Sequence, residues 1–314
     1  METSDFIHKA DDGAEIFVYR WWPEGAPRAV VQIAHGMAEH AARYAPVAAA
    51  LTAAGYGVVA NDHRGHGRSA QGDEDLGFFA DRDGWNLCLG DLYALNRRLA
   101  DEQPELPRIL LGHSMGSFMA QQYFIEHGDS IAAGVLSGSN WGRGAMLWVG
   151  LALVAVETLR LGPRGRSTTV TAGSFGAYND AINDPRTPFD WLSRDADEVQ
   201  KYVDDPRCGF ICTNRMWHDM LHGLRFIEDR GNMGHVPKHL PIYVFAGSED
   251  PISDRTQGLE ALLSAYRDIG LSAVSHKFYR GGRHEMFNET NREEVFADLI
   301  AWLDEALNRH FSPS

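Results

Sequence analysis

The chain has 314 residues, of which 44% are hydrophobic and 23% charged, a composition typical of a globular protein long enough for one large core. Its 43 acidic and 29 basic residues give a formal net charge of −14, which repels nucleic acid and anionic membrane surfaces and excludes both as main partners. The chain's 3 cysteines make no disulfide framework, and its acidic start "METSDFIHKADDG" does not resemble a signal peptide, so we expect a reducing, cytoplasmic environment.

Eight strand-like runs along the chain predict β-strands. The turn Asp11–Gly13 joins the first two runs as a hairpin, and from the third run onward each gap holds a helical pattern, such as the apolar stripe from Cys88 to Leu99. Such alternation favours an α/β fold with a mostly parallel, eight-stranded sheet covered by helices on both faces. The predicted strands are Phe6–Lys9, Glu15–Trp22, Arg28–Ala34, Tyr56–Asn61, Arg108–Leu111, Ile131–Ser137, Pro241–Ala246 and Val274–Tyr279.

One segment interrupts the alternation. Residues 138–211 lack clear strands and are rich in turns, so we expect a mostly helical insertion after the sixth strand. This divides the chain into a first core part (1–137), an inserted cap (138–211) and a second core part (212–314). The insertion holds the longest apolar run, Gly144–Val156, whose 13 residues are too few to span a bilayer.

The stretch "RILLGHSMGSFMAQQYFIEHG" raises a question of local geometry. Its first residues predict a short buried strand, and from Met115 onward the apolar residues fall at helical spacing. Ser114 therefore lies on the corner between a strand and a helix, with Gly112 and Gly116 where a tight corner leaves no room for side chains. This G-x-S-x-G pattern resembles the nucleophile elbow of α/β hydrolases, in which the serine oxygen is exposed for attack.

A serine nucleophile needs a base and an acid that orients it. In this fold the chain order is serine, acid, histidine, each on a loop after a strand. "PIYVFAGSEDPIS" supplies Asp250 after the next-to-last strand, with Glu249 as the nearby competitor. "HKFYRGGRHEMFNE" supplies His284 after the last strand, whereas His276 falls inside it. We therefore predict that Asp250 orients His284 to accept the proton of Ser114.

The developing negative charge needs hydrogen-bond donors. The third strand ends in the dipeptide His35–Gly36, which resembles the HG oxyanion motif of lipases and esterases. From there the backbone N–H of Met37 is the first predicted donor. The N–H of Met115, at the start of the elbow helix, is the second.

Five loops together carry a family resemblance: "HGMAEHAARY", "NDHRGHGRS", "GHSMG", "GSEDPIS" and "GGRHEMFNE". They resemble the monoacylglycerol lipase and lysophospholipase branch of the α/β-hydrolases, and the match covers nearly the whole chain. The resemblance implies a triad of Ser114, Asp250 and His284, an oxyanion hole at Met37 and Met115, and a cap over the site. A departure is Ala38, where members often carry a second glycine. The residues of the fourth-strand loop are interpreted as a structural hydrogen-bonded turn: Asp62, His63, Arg64 and His66.

The resemblance implies a serine ester hydrolase acting on a single-acyl lipid such as a monoacylglycerol or lysophospholipid. Alternatives that stay open are a short-chain carboxylesterase, a related serine peptidase and a catalytically silent binding protein. Acids at residues 194–199 would suit a peptidase if they faced the site. The apolar run Gly144–Val156 is either a core helix of the cap or a lid face that lines an acyl tunnel or makes transient contact with membrane lipid.

No cofactor, metal or nucleic acid is expected, and the oligomeric state is not indicated. His218 and His222 have a spacing that zinc ligands use, but Asp-Met-Leu between them differs from the Glu-x-x of zinc proteases. Cys208 and Cys212 share that spacing and are interpreted as buried or lining thiols.

Overall fold

One sheet runs through the molecule, and the computed structural model describes it within residues 1–311. Its strands are β1 (Glu2–Lys9), β2 (Glu15–Trp22), β3 (Val30–Ala34), β4 (Gly57–Asn61), β5 (Arg108–His113), β6 (Ala133–Ser137), β7 (Ile242–Gly247) and β8 (Val274–Tyr279). They lie in the order β1-β2-β4-β3-β5-β6-β7-β8. Strand β2 is antiparallel to both β1 and β4, and all later pairings are parallel, which confirms the predicted eight-stranded, mostly parallel sheet.

Helices cover both faces of the sheet, as predicted. They are α1 (Ala45–Ala53), α2 (Gly84–Glu102), α3 (Met115–His127), α4 (Ala145–Leu161), α5 (Thr168–Phe175), α6 (Ala196–Asp204), α7 (Asn214–Glu228), α8 (Arg230–Met233), α9 (Gln257–Asp268) and α10 (Arg292–Phe311). Helices α1 and α10 share one apolar core with the sheet, whereas α2, α3, α7 and α9 belong to a core that also includes residues of α4 to α6. The burial of strands on two faces explains why β3 to β7 are apolar almost throughout.

Strand boundaries agree with the sequence predictions to within about two residues, apart from β1. That strand begins at Glu2 rather than Phe6 and pairs along its whole length with β2. Its first four residues are exposed and polar, because an edge strand needs only one partner and no buried face there. Apolar patterning carries no signal for such a segment.

The long connection between β6 and β7 leaves the sheet and forms helices. Although the two strands are adjacent and parallel, α4 to α8 lie between them in sequence. Helix α7 packs against α4 on one side and against α2 and α3 on the other, so it joins the inserted helices to the core. Among residues 1–311, no helix combines the length and the apolar character needed to cross a bilayer.

Candidate active site

The serine corner has the strained geometry of an elbow. Ser114 has φ 51° and ψ −121° between β5 and α3, a region that residues with a Cβ seldom occupy. A Cβ on Gly112 would collide with the carbonyl oxygen of Gly116, and a Cβ on Gly116 would collide with that of Ala34. The two glycines are therefore required where the sequence analysis placed them, because strand and helix backbones touch at the corner.

The predicted base and acid lie in direct contact. His284 Nδ1 is 3.1 Å from each carboxylate oxygen of Asp250, and both side chains are buried. With Nδ1 engaged, Nε2 is the nitrogen left to accept a proton. Burial acts to lower the pKa of His284, but the charge of Asp250 and its hydrogen bond outweigh burial and raise that pKa above its usual value.

The competing candidates lie elsewhere. Glu249 is about half exposed, with 52% of its side-chain surface accessible, and pairs with Arg255 at 3.5 Å. Asp250 instead accepts a hydrogen bond from the backbone N–H of Ile252 at 2.9 Å, which holds its carboxylate toward His284. His276 lies within β8 and is exposed. The geometry therefore favours Asp250 and His284 as the pair.

Residues 36–39, named here the oxyanion loop, follow β3 and lie against Ser114. A Cβ on Gly36 would lie 3.1 Å from Ser114 Cβ, so the loop and the nucleophile are in van der Waals contact. The N–H of Gly36 donates to Glu39 Oε1 at 2.6 Å, and the N–H of Ala38 donates to His66 Nε2 at 3.2 Å. The N–H groups of Gly36 and Ala38 are thus engaged within the protein, and Met37, the donor predicted from the sequence, lies between them.

The second predicted donor is the first residue of α3. Met115 is buried, and its N–H is one of the amides at the helix start that have no partner within the helix. Such amides carry the positive end of the helix dipole. An oxyanion hole at Met37 and Met115 stays a prediction, in which one donor comes from the loop after β3 and the other from the start of α3.

Ala38 adopts a conformation that normally belongs to glycine. Its φ is 52°, and the left-handed region costs a residue with a Cβ roughly 1 kcal/mol or more. The sequence departs from the family pattern at this residue, and the structure shows that the glycine-type backbone is nevertheless retained. Three hydrogen bonds hold it, one from its N–H to His66 and two to its carbonyl oxygen from Tyr202 Oη and the N–H of Gly209.

A buried charge network links the oxyanion loop to the histidine loop. Arg43 Nη1 donates to Glu39 Oε2 at 2.6 Å, and its two terminal nitrogens form a bidentate pair with Glu285 at 2.7 and 2.6 Å. Because Glu39 also fixes the N–H of Gly36 and Glu285 follows His284, one guanidinium connects the two loops. The sequence analysis missed this network. The spacing of Glu39 and Arg43 in "HGMAEHAARY" was the only local signal for it.

Two cavities meet at Ser114. The first has a volume of about 420 Å³ and includes the predicted base His284 together with Glu39, Asn179 and Glu285. The second, of about 370 Å³, is walled mainly by apolar side chains of α3, α4, α5 and α7. Both include Met37 and Ser114, so the predicted nucleophile lies at their junction. The residues of α4 that line the second cavity are Met146, Leu147, Val149, Gly150, Leu153 and Val154.

The fourth-strand loop is largely the structural turn that the sequence predicted. Asp62 accepts from the backbone N–H groups of Ala41 and Arg68, and Arg64 pairs with Asp91 at 2.7 Å. His66 supports Ala38 as described, and burial lowers its pKa to about 4, so it remains a neutral acceptor. His63 differs, because its ring nitrogens are buried without a hydrogen-bond partner among the described residues.

One group of described side chains has the spacing of metal ligands. The donor atoms of His40, Asp205 and Cys208 lie within 4.8 Å of one another. His40 Nε2 and Asp205 Oδ2 already satisfy each other at 2.8 Å, and burial raises the pKa of Cys208, which disfavours the thiolate that a metal binds. These three residues therefore serve as a contact between the loop after β3 and the segment that follows α6.

Comparison with known proteins settles the family. A family model described as "Serine aminopeptidase, S33" matches residues 25–291. The chain belongs to this family of α/β hydrolases. A monoacylglycerol lipase from Mycolicibacterium smegmatis is 31% identical over 294 residues, which cover 93% of each chain.

Solved structures agree with this assignment. A thermostable carboxyl esterase from Bacillus coagulans, in complex with glycerol, superposes with a TM-score of 0.89 at 27% identity, covering 98% of this chain and 99% of the esterase. A lipase in its open form superposes with a TM-score of 0.87 at 28% identity, covering 98% of this chain and all of the lipase. The family and these relatives identify the α/β hydrolase as a serine ester hydrolase.

Proposed function

We propose that this hydrolase cleaves the ester bond of monoacylglycerols through an acyl-enzyme on Ser114. The observation that carries the proposal is the meeting at that serine of two mostly apolar cavities, of which the first also has Glu39, Asn179 and Glu285 in its wall. A single-acyl lipid has the same two-part character, with a polar head on one side of its ester and a hydrocarbon chain on the other. An ester bound across the junction has its carbonyl carbon at the nucleophile.

The residues then divide the chemistry between them. His284 takes the proton of Ser114 as the oxygen attacks, and Asp250 stabilises the imidazolium that forms. The N–H groups of Met37 and Met115 bind the oxyanion, each worth about 3 kcal/mol of transition-state stabilisation. His284 next gives its proton to the departing alcohol oxygen as the ester C–O bond breaks. A water, activated by the same histidine, hydrolyses the acyl-enzyme and releases the fatty acid.

The charge of the first cavity favours a neutral head group. Glu39 and Glu285 contribute to its wall, and among the described residues no lysine or arginine does. A phosphate would therefore find no cation in this wall to pair with. The hydroxyls of a glycerol can donate to carboxylate oxygens and to Asn179. This supports monoacylglycerol over lysophospholipid.

The second cavity supports an acyl chain rather than a peptide or a sugar. Its wall is formed largely by leucine, valine, methionine and aromatic side chains, with Arg143 and Glu228 as its charged members. Each buried methylene contributes about 0.8 kcal/mol, so a chain that fills this space gains several kcal/mol before ordering costs. A short-chain carboxylesterase would leave most of it empty.

A peptidase would need an acidic residue that binds the free amine of its substrate, and residues 194–199 do not supply one at the two cavities. Asp195 caps α6 and pairs with Arg292 at 2.9 Å, and Glu198 pairs with Lys201 at 2.8 Å. Neither acid lines the two cavities. The acids that do line the first cavity, at positions 39 and 285, are already paired with an arginine.

We further propose that residues 138–211 form the cap and that α4 contacts lipid with its outer side. Trp148 and Val156 are each 59% exposed and Leu159 is 90% exposed, although all three are apolar. Their spacing places them on one stripe of the helix, away from the side that faces the cavity. A net charge of −14 directs this contact to uncharged lipid surfaces. Since its cysteines are buried and unpaired, a reducing cytoplasm suits the chain.

Activity and labelling test the chemical proposal together. The substrates are 4-nitrophenyl esters of increasing chain length, a monoacylglycerol, a lysophospholipid and an aminoacyl nitroanilide. We expect hydrolysis of the monoacylglycerol, a fluorophosphonate adduct on the peptide containing Ser114, and loss of both in Ser114→Ala. An adduct on another serine with Ser114→Ala still active would refute the site. Preference for the nitroanilide would favour a peptidase.

Vesicles test the membrane contact. Leu159→Glu should weaken binding to phosphatidylcholine vesicles and lower turnover of vesicle-borne substrate, without changing hydrolysis of a soluble ester. The matched control is Val203→Glu, because Val203 is also exposed and apolar but lies on α6. Equal effects of the two substitutions would contradict a contact through α4.

A further inference from the structure

The cap and the oxyanion loop meet at the carbonyl oxygen of Ala38. Tyr202 of α6 donates to this oxygen through its hydroxyl at 2.9 Å, and the backbone N–H of Gly209 donates to it at 2.9 Å. From the core, His66 accepts the N–H of Ala38 at 3.2 Å. The residue that follows Met37 is therefore held by the core on one side and by the cap on the other.

This anchoring matters because the backbone of Ala38 is strained. A residue with a Cβ stays at φ 52° only when its surroundings over-determine it, since an extended or right-handed conformation is otherwise preferred. Rotation at Ala38 changes the peptide plane that it shares with Met37, and this reaches the N–H of Met37, the proposed oxyanion donor, through the backbone torsions of Met37.

Tyr202 is well placed to act as a fixed anchor. Its side chain is 6% exposed, its ring packs against Phe189 at 5.0 Å between centroids, and Arg43 lies over the ring at 4.8 Å. A buried hydroxyl on a rigid ring loses little freedom when it forms a hydrogen bond. The same Arg43 holds Glu39, so the cap packs on the network that fixes the other end of the oxyanion loop.

We propose that Tyr202 is a positioning residue that, through the carbonyl oxygen of Ala38, holds the N–H of Met37 toward the reacting ester. The oxyanion hole is then complete only while the cap is docked on the core. The inference rests on the proposed function, since it assigns a geometric requirement to the same site. It makes the catalytic step, rather than substrate binding, sensitive to the cap.

Removal of one hydroxyl tests this proposal. Tyr202→Phe keeps the ring, which also lines the first cavity, and deletes the donor to Ala38. We expect kcat to fall about two- to tenfold, the equivalent of one hydrogen bond, with KM nearly unchanged. A rise in KM with kcat unchanged would assign the hydroxyl to substrate binding and refute the positioning role. The matched control is Tyr123→Phe. Tyr123 is also buried, and its hydroxyl bonds to Ser130 at 2.7 Å, outside the two cavities. Melting temperatures of both variants report the structural cost of losing a buried hydroxyl.

Repeating the Tyr202→Phe substitution in an Ala38→Gly protein separates an effect on the position of Met37 from general destabilisation. Glycine adopts positive φ without penalty, so in Ala38→Gly the loop depends less on the hydrogen bonds that Tyr202 and Gly209 donate to residue 38. The factor by which Tyr202→Phe lowers kcat should therefore shrink toward one when residue 38 is glycine, which is a coupling that a double-mutant cycle measures.

The outcomes are distinguishable. Equal kcat for Tyr202→Phe and Tyr123→Phe would refute the positioning role of Tyr202. So would an equal loss of kcat on Tyr202→Phe with alanine and with glycine at residue 38. Neither result would affect ester hydrolysis or labelling at Ser114. Failure of the proposed function looks different, because the unsubstituted protein would then neither hydrolyse esters nor be labelled at Ser114. That result would overturn both proposals.

Discussion

Gly173 offers a way to shorten the apolar cavity by substitution. An added Cβ at Gly173 on α5 would lie 3.8 Å from Leu153 Cδ2 on α4, so a larger side chain there extends toward the cavity wall. In Gly173→Leu, about four added carbons displace a similar number of acyl methylenes from about 370 Å³ of space. At about 0.8 kcal/mol each, the loss is about 3 kcal/mol, or on the order of 100-fold in kcat/KM for chains that fill the cavity.

The assay is kcat/KM for 4-nitrophenyl esters from acetyl to long acyl chains. The acetyl ester does not reach α5, so its turnover should be unaffected and the maximum of the profile should move to shorter chains. Gly90→Leu is the matched control, because Gly90 is also helical and its added Cβ would have no neighbour within 4 Å. Leucine has the higher helix propensity, so neither variant should lose stability through its backbone. A loss of the same factor for acetyl and long-chain esters would show that the second cavity does not hold the acyl chain.

Three further predictions concern the polar side of the site. Turnover should rise with pH as His284 loses its proton, with a midpoint above the usual 6.5 because Asp250 raises that pKa against the opposing effect of burial; a midpoint below 6.5 would contradict the pairing. Glu285→Gln should move the midpoint to lower pH, since the charge of Glu285 also raises the pKa of His284. The control is Glu289→Gln, which removes another buried carboxylate of the histidine loop, one that pairs with Arg194, and it should leave the midpoint in place. Gly36→Ala should reduce kcat strongly with the fold intact by circular dichroism, because the new Cβ would lie 2.7 Å from Glu39 Oε1; full activity would exclude a tight oxyanion loop.

Local signals in the sequence predicted most of the fold. The apolar runs of β2 and β8 match the structure at both ends, because each run is bounded by turn residues. The elbow at Ser114 was predictable since the two glycines and the change of period all lie within one short segment. The pairing of Asp250 with His284 followed from chain order alone, and the structure brings the two into contact.

The contacts that tune the site were not predictable in this way. The bond between Tyr202 and Ala38 joins residues 164 positions apart, and the pair of Arg43 and Glu285 spans 242 positions. Hydrogen-bonding residues at such separations leave no periodic trace in a single sequence. Helix α4 shows a related limit, since the sequence of a helix that is apolar on all sides does not indicate which side faces the protein interior. Only the structure shows that its inner side lines the cavity, whereas Leu159 faces outward.

The charge balance around Arg43 explains why this network is ionic rather than apolar. Two carboxylates, Glu39 and Glu285, share one guanidinium, so the buried network carries one net negative charge beside His284. That charge favours the imidazolium that forms when the serine attacks, and it adds to the effect of the triad aspartate. His113 adds no positive charge beside it, because burial lowers its pKa to about 4 and leaves it neutral. An apolar replacement could fill the same space, but it would neither fix the N–H of Gly36 nor supply charge to the base. Stability alone therefore does not explain the network, whereas fixing this N–H and placing charge beside the predicted base are roles that an apolar core would not fill.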